Sequence, residues 1–276
     1  MIIDSQTNFL YLADCLEAKF PNFWAGFKIA LEKNNIKYDF LPRTKDVWAV
    51  DYMPVQVSKD EFIQFRYEPD YLDTIVGRKT FSDVDAILNT IGMVAKKSNI
   101  NIDGGNVVHS SKAVFMTEKI FTENRDFDKQ QLLVALKDLL EVENIYLLPR
   151  QPGDYTGHSD GMVRFVNDNT ILVNDYSAEK NEAFKKAFFI AINNCGLKYE
   201  VLPYVAEGNE AVGCYLNYLQ VGNIIFIPAF GQEKDDAIAL QIIQTSFPTC
   251  KIVPVAAKEL AAKGGILNCI SWNILK

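Results

Sequence analysis

Histidine is almost missing from this chain, with two in 276 residues. A transition-metal site built on imidazoles is therefore poorly supplied. The five cysteines, Cys15, Cys195, Cys214, Cys250 and Cys269, form no C-x-x-C pair. Their odd number and spacing argue against a disulfide framework or a structural zinc site, and for a reducing, cytoplasmic setting. Positive charge is also short: 28 Lys and Arg stand against 35 Asp and Glu, a net charge of -7. Nucleic acid is not an expected partner, because a phosphate binder needs a basic surface. Long apolar runs are lacking. The stretch "QVGNIIFIPAF" is short and interrupted, which suits a buried strand and gives no membrane span. The opening "MIIDSQTNFLYLADCLEAK" has no basic region leading into an apolar core, so no signal peptide is expected. No linker or low-complexity tract divides the chain, and one domain over residues 1–276 is expected.

What is present is a repeat. Apolar residues make up 49% of the chain and charged residues 23%, ordinary values for a globular protein with a sizeable core. Four segments read as two short strands around a tight turn: "MPVQVSKDEFIQF", "NVVHSSKAVFMT", "MVRFVNDNTILVN" and "YLQVGNIIFIPA". Turn-forming residues fall at 58–60, 110–112, 167–169 and 222–223. A fifth stretch, "GGILNCISWNI", lacks room for a full hairpin. Between the hairpins, "FWAGFKIALEKNN", "VDAILNTIGMVAKKSN", "FDKQQLLVALKDLLEVEN", "NEAFKKAFFIAINNCG" and "DDAIALQIIQTSF" carry a helical period. Short strands such as "KYDFLP", "IYLLP", "KYEVLP" and "KIVPV" follow most of them. The class is α/β, with a helix, strand and hairpin unit occurring about five times.

A polar residue recurs at each hairpin entrance: Asp51, Asp103, Asp160, Asn217 and Cys269, at intervals of 52, 57, 57 and 52. A fixed period of this size signals a repeat architecture, and equivalent positions in a closed ring converge on its axis. Polar residues also begin many strands without any shared function. If the ring closes, it gathers three carboxylates, an amide and a thiol. His158 joins them, two residues from Asp160 and framed by Gly157 and Gly161, which are read as letting the backbone turn tightly. In a pleated strand, residues two apart share a face, so His158 and Asp160 can aim at one centre, with His158 facing the thiol.

That set has a chemistry. A thiolate is a good nucleophile once a neighbouring cation or base lowers its pKa, and histidine can supply that effect and act as acid and base. Several carboxylates around a thiol would repel a developing oxyanion, but they suit a cationic substrate. A guanidinium is planar, permanently charged, and offers paired N–H donors that fit carboxylates in a fork. The expected mechanism has Asp51 and Asp160 clamping a guanidinium, Cys269 attacking its carbon, and His158 protonating the departing ammonia. Water activated by His158 then hydrolyses the thiouronium. No metal or organic cofactor is required. Cys269 follows Gly264 and Gly265, which are counted with the substrate-binding set, and Trp48 offers a wall for a planar cation. Asp103 is placed in that set too, although an aspartate before two glycines also serves as a plain turn residue. Cys15, Cys195, Cys214 and Cys250 lie in apolar contexts and are read as buried small hydrophobes. His109 falls in a hairpin turn and is read as a surface residue.

Taken in order, "KDVWAVDYMP", "IDGGNVV", "GHSDGMVRFV", "YLNYLQVGNIIFIPAFG" and "GGILNCISWN" resemble the agmatine deiminase and bacterial peptidylarginine deiminase family of guanidino-group modifying enzymes. The likeness runs from about residue 40 to the C-terminus. It implies a five-bladed, pseudo-symmetric α/β propeller with a central active site. It also implies Cys269 as nucleophile, His158 as general acid and base, Asp51 and Asp160 as guanidinium ligands, and Asn217 as a substrate-orienting residue. The chain departs from the family pattern at Asp103, where glutamate is usual, at Val50, where arginine is usual, and at Asn268, where histidine is usual. The segment "FRYEPDYLD" replaces a Trp-Gly-Gly region, and the longer "FRYEPDYLDTIVGRK" is a candidate lid. The guanidine therefore stays open among agmatine, free arginine, peptidylarginine and others. So do an amidinotransferase, a guanidine-binding homologue without catalysis, a metal site drawn from Asp51, Asp103, His158 and Asp160, and the oligomeric state, a homodimer included.

Overall fold

The structure of the chain, a computed structural model, describes residues 1–204 and 211–276. Its described strands form five sheets of three strands each, all built to one plan. The first strand of each sheet pairs antiparallel with the second, in four of them across the turn that the sequence marks. The second pairs parallel with the third, across a helix. In the first blade Val55–Gln56 pairs with Phe62–Arg66, and that strand with Lys96–Asn101. The second blade joins Val108–His109, Ala113–Thr117 and Asn144–Leu148. The third joins Val163–Asn167, Thr170–Asn174 and Lys198–Leu202. The fourth joins Leu219–Val221, Ile224–Ala229 and Lys251–Ala256. A parallel pair needs a long crossover, and the helices Val84–Ile91, Lys129–Leu140, Glu182–Asn194 and Glu233–Ser246 supply it. The result is the five-bladed α/β propeller that the family resemblance implied and the repeat fits.

Local chemistry sets these helices. The side chains of Asp83, Asp128 and Asn181 cap three of them by accepting backbone N–H groups of the first turn. The first-blade helix is shorter than its pattern suggests. It stops at Ile91, where Gly92 turns to a φ of 72° and its N–H closes the last turn. The residues beyond, Lys96–Asn101, are the blade's third strand and not helix. That strand is exposed over its first half, so its lysines and serine imitate the polar face of a helix.

The fifth blade corrects the reading of the last stretch. Ser271–Ile274 finds its partner at the other end of the chain, pairing antiparallel with Phe9–Ala13 in the register Tyr11 to Trp272. Phe9–Ala13 then pairs parallel with Tyr38–Leu41 across the helix Pro21–Lys33. The ring is thus closed by its two termini.

A small sheet needs an apolar face to pack, and the blades bury theirs on one another and on their helices. Leu132, Leu136 and Leu140, on one face of the second-blade helix, pack in one cluster with Ile63 and Ile100 of the first blade. Phe27 of the fifth blade meets Phe226 of the fourth edge-on, with ring centroids 5.6 Å apart. Among the described residues, no helix is long and apolar enough to cross a membrane.

Candidate active site

The segments entering the five blades meet at the ring centre. Asp51 lies on the single helical turn Ala49–Tyr52, and Asp103 immediately precedes the tight turn Gly104–Asn106. His158 and Asp160 lie in a bend before the third blade, whose first strand begins only at Val163. They are therefore not strand residues sharing a face. Tertiary hydrogen bonds aim them instead: Thr117 Oγ1 donates to the Gly157 carbonyl at 2.6 Å, Ser159 Oγ to the Phe115 carbonyl at 3.1 Å, and the Asp160 N–H to the Gly105 carbonyl at 3.1 Å. Gly157 has the left-handed φ of 68° that the tight turn called for, whereas Gly161 does not share it.

Two polar clusters result. In one, Asp160 Oδ2 accepts from Asn217 Nδ2 at 2.9 Å and Asn268 Nδ2 at 2.8 Å, and the Cys269 sulfur lies 3.7 Å from it. Asn217 Oδ1 accepts from the N–H groups of Asn268 and Cys269, at 3.1 and 3.4 Å, and lies 3.4 Å from the sulfur. Asn268 is itself held by Arg164 Nη1 at 2.8 Å, and Arg164 by Asp4 at 2.6 Å. In the other cluster, His158 Nε2 is 2.7 Å from Asp103 Oδ2, and Nδ1 is 3.6 Å from Asp51 Oδ1. The imidazole's polar contacts thus go to carboxylates rather than to the sulfur. Gly105 makes the close packing feasible: a Cβ there would stand 2.6 Å from His158 Nδ1 and 2.7 Å from Asp51 Oδ1.

A cavity of about 340 Å³ opens over both clusters, a size that suits a small ligand. Asp51, His158, Asp160, Asn217, Cys269, Trp48, Gly264 and Gly265 all line it. Trp48 forms a wall against Gly265, where a Cβ would come within 2.4 Å of the indole. Asp103 differs from the expectation. It is fully buried behind His158, outside the cavity lining, and so is not positioned to touch a ligand there. His109 differs too. It belongs to a strand of the second blade and is half-buried, with Nδ1 enclosed and without a partner among the described residues. Cys214 is buried, as expected, but in a turn at the cavity wall.

Sequence reasoning missed Lys119, Tyr71 and the positioning role of Asn268. Tyr71 comes from the candidate lid segment and, with Tyr67 and Leu72, lines the cavity. Lys119 is buried against Asp103. Neither residue falls on the repeat of polar entrances, so no periodic signal pointed to them.

The electrostatics favour a cation. Burial, with the charges of Asp103 and Asp160, pushes the Asp51 carboxyl up to about 7, against the opposing pull of His158 and the Gly105 N–H. Burial also raises Asp160. For His158, burial disfavours the charged ring, but Asp51 and Asp103 outweigh it and hold the imidazole up at about 9. Burial and the nearby Asp160 and Asp51 push the Cys269 thiol well above its ordinary value. A cation seated between the two carboxylates favours the charged forms of Asp51 and Asp160 and the thiolate of Cys269.

Residues 30–274 match the Porphyromonas-type peptidyl-arginine deiminase family. The chain belongs to that family. By sequence it is 25% identical over 237 residues to an agmatine deiminase of Medicago truncatula, covering 72% of this chain and 62% of that one. It spans about three-fifths of the length of such curated relatives. By structure this deiminase-family chain superposes on an agmatine deiminase of C. jejuni with a TM-score of 0.82 at 18% identity, covering 100% of this chain and 95% of that one. The agmatine deiminase of Enterococcus faecalis superposes with a TM-score of 0.75 at 18% identity, covering 99% and 94%. At this identity the likeness is one of fold. Among the described residues, no group of three or more His, Cys, Asp or Glu side chains is arranged to hold a metal ion.

Proposed function

We propose that the protein is a cysteine-dependent guanidino hydrolase whose substrate is agmatine or a close analogue. The observation that carries this reading is the Cys269 thiol set against Asp160, with its pKa raised by burial and by both Asp160 and Asp51. A thiol so placed ionises readily only when a cation neutralises its neighbours, and a guanidinium is both that cation and the electrophile.

In the proposed cycle, Asp51 and Asp160 hold the guanidinium and align its carbon with the sulfur. The thiol proton passes to solvent as the cation binds, where it is later matched by protonation of the released ammonia, and the thiolate adds to the guanidinium carbon. His158, charged through Asp51 and Asp103, gives its proton to one nitrogen, which departs as ammonia and leaves a thiouronium on Cys269. The neutral imidazole then takes a proton from water as that water adds to the same carbon. Collapse of the adduct expels the sulfur and yields the ureido product. The balance is one guanidinium and one water converted to one urea derivative and one ammonium ion.

The character of the cavity supports a cationic tail. Asp46, Asp154 and Glu179 line it with Asp51 and Asp160, and no lysine or arginine does so among the described residues. The carboxylate of free arginine would lack a partner there and meet repulsion, whereas the terminal ammonium of agmatine would not. The names of the relatives point the same way. The test is ammonia release from a panel of agmatine, arginine, methylated arginines and arginine peptides, with Cys269→Ala as control. Turnover of agmatine above arginine, lost in the variant, is the expected result. Turnover that survives Cys269→Ala would sink the reading.

A further inference from the structure

Lys119 is a buried lysine with no place in that cycle. Its side chain is fully enclosed, and taking an ammonium out of water costs several kcal/mol unless partners recover it. Its nearest partner is Asp103 Oδ2 at 2.5 Å, the same oxygen that lies 2.7 Å from His158 Nε2. Glu123 follows at 3.2 Å and the half-exposed Asp70 at 3.9 Å. The ammonium also lies over the ring of Tyr71, 4.6 Å from its centroid, and that ring stands edge-on to His158 at 6.1 Å. Asp103 Oδ1 is buried without a partner among the described residues, so both of the carboxylate's strong contacts converge on Oδ2.

We infer that Lys119 is a positioning residue for His158, acting through Asp103: it holds that carboxylate ionised, turned toward the imidazole, and shared, so that the imidazole proton stays transferable. The physical case is one of competition. From every side His158 faces carboxylates, with Asp51 from the first-blade entrance, Asp103 behind it and Asp160 on its own bend. These retain a proton on the ring, and a proton held too firmly is not readily donated to a leaving amine. Lys119 is the cation that opposes them. Burial alone would favour a neutral Asp103; His158 and Lys119 together keep it below its ordinary range. Glu123, pushed up to about 7 mainly by burial and by Asp103, is the lysine's second buried carboxyl partner at 3.2 Å.

This inference rests on reading His158 as the proton donor, and its test reads the imidazole directly. The chain has two histidines, and burial holds His109 down at about 4, so the two ring signals titrate in separate ranges in a proton NMR experiment. Lys119→Arg keeps a cation on Asp103 and is expected to leave the His158 midpoint and ammonia release close to the parent's. Lys119→Gln should raise the midpoint by roughly 1 pH unit. It should also lower kcat at neutral pH about tenfold to a hundredfold, with KM moved far less. The double variant Lys119→Gln/Glu123→Gln removes the buried anion together with the cation, so it guards against loss of fold and should show an upward shift that is smaller, because the lost anion partly offsets the lost cation. A folded double variant whose His158 midpoint stays in place overturns the inference. A shifted midpoint in a protein that turns over no guanidine at all would instead overturn the catalytic reading and leave the Lys119–Asp103–His158 linkage standing.

Discussion

The Cys269 sulfur lies 3.7 Å from a carboxylate oxygen of Asp160, and no cation touches it among the described residues. Nucleophilic thiols usually sit beside a positive charge, which favours the thiolate. Here the neighbour has the opposite sign, and in the proposed cycle the positive charge arrives with the ligand.

Reactivity and turnover should therefore separate in Asp160→Asn. Removing the anion lowers the thiol's pKa, so alkylation of Cys269 by a neutral reagent, followed on its own peptide, should speed up roughly tenfold. Guanidine turnover should fall about a hundredfold, because a charge-assisted hydrogen bond to the substrate is lost. If both quantities move in the same direction, Asp160 does not hold the cation.

Cation binding should release protons. With its pKa at about 7, Asp51 is half protonated at neutral pH, and a bound guanidinium favours its charged form. The same cation disfavours the His158 imidazolium. Calorimetry on Cys269→Ala in buffers of different ionisation enthalpy should show net proton release near pH 7, growing toward pH 8 as His158 contributes. Proton uptake would contradict the geometry proposed for the substrate.

Stability should carry the matching signature. Asp51 and His158 are both raised in the folded protein, so each favours folding fully only below its unfolded value, about 3.9 and 6.5. The contribution of Asp51 fades as pH climbs to about 7, and that of His158 as pH climbs to about 9. The Tm of the substrate-free protein should decline between pH 6 and 9, and His158→Gln should flatten that decline. An unchanged slope in the variant would mean that His158 is not the group titrating.

Gly105→Ala should strike the chemistry harder than the fold. Its methyl group would stand 2.6 Å from His158 Nδ1 and push the ring and Asp51 apart. Turnover should drop at least about a hundredfold while the circular dichroism spectrum stays that of the parent. Wild-type turnover would mean that the His158–Asp51 approach has no role.

The N-terminal strand should behave as a structural staple. Leu10 and Leu12 are fully buried in the strand that completes the fifth blade. Each Leu→Ala change should cost about 2–5 kcal/mol, read as a lower midpoint in urea. Removing residues 1–13 should loosen Trp272, a change visible in its fluorescence.

Much of the fold was legible because its causes are local. The turns at 58–60 and 222–223 lie within a few residues of the strands they join. The spacing of Asp51, Asp103, Asp160, Asn217 and Cys269 survived as a ring of blade entrances because each repeat folds alike. Where local cues misled, a nonlocal term was responsible. Lys96–Asn101 resembles helix by composition but is claimed by pairing with Phe62–Arg66. The closing stretch has no hairpin partner beside it in sequence, since that partner lies at the opposite end of the chain.

The amino-acid sequence by itself determined the repeating unit, the α/β class and the residues able to meet at one axis. Those depend on periodicity, turn chemistry and residue type, which a linear chain carries openly. Only the tertiary structure decided who touches whom at that axis. It turned Asp103 away from the cavity to stand behind His158, set Asp160 rather than His158 against the sulfur, and buried Lys119 on Asp103. Those choices turn on distances of a few ångströms between side chains of different blades, and they emerge only when the ring closes.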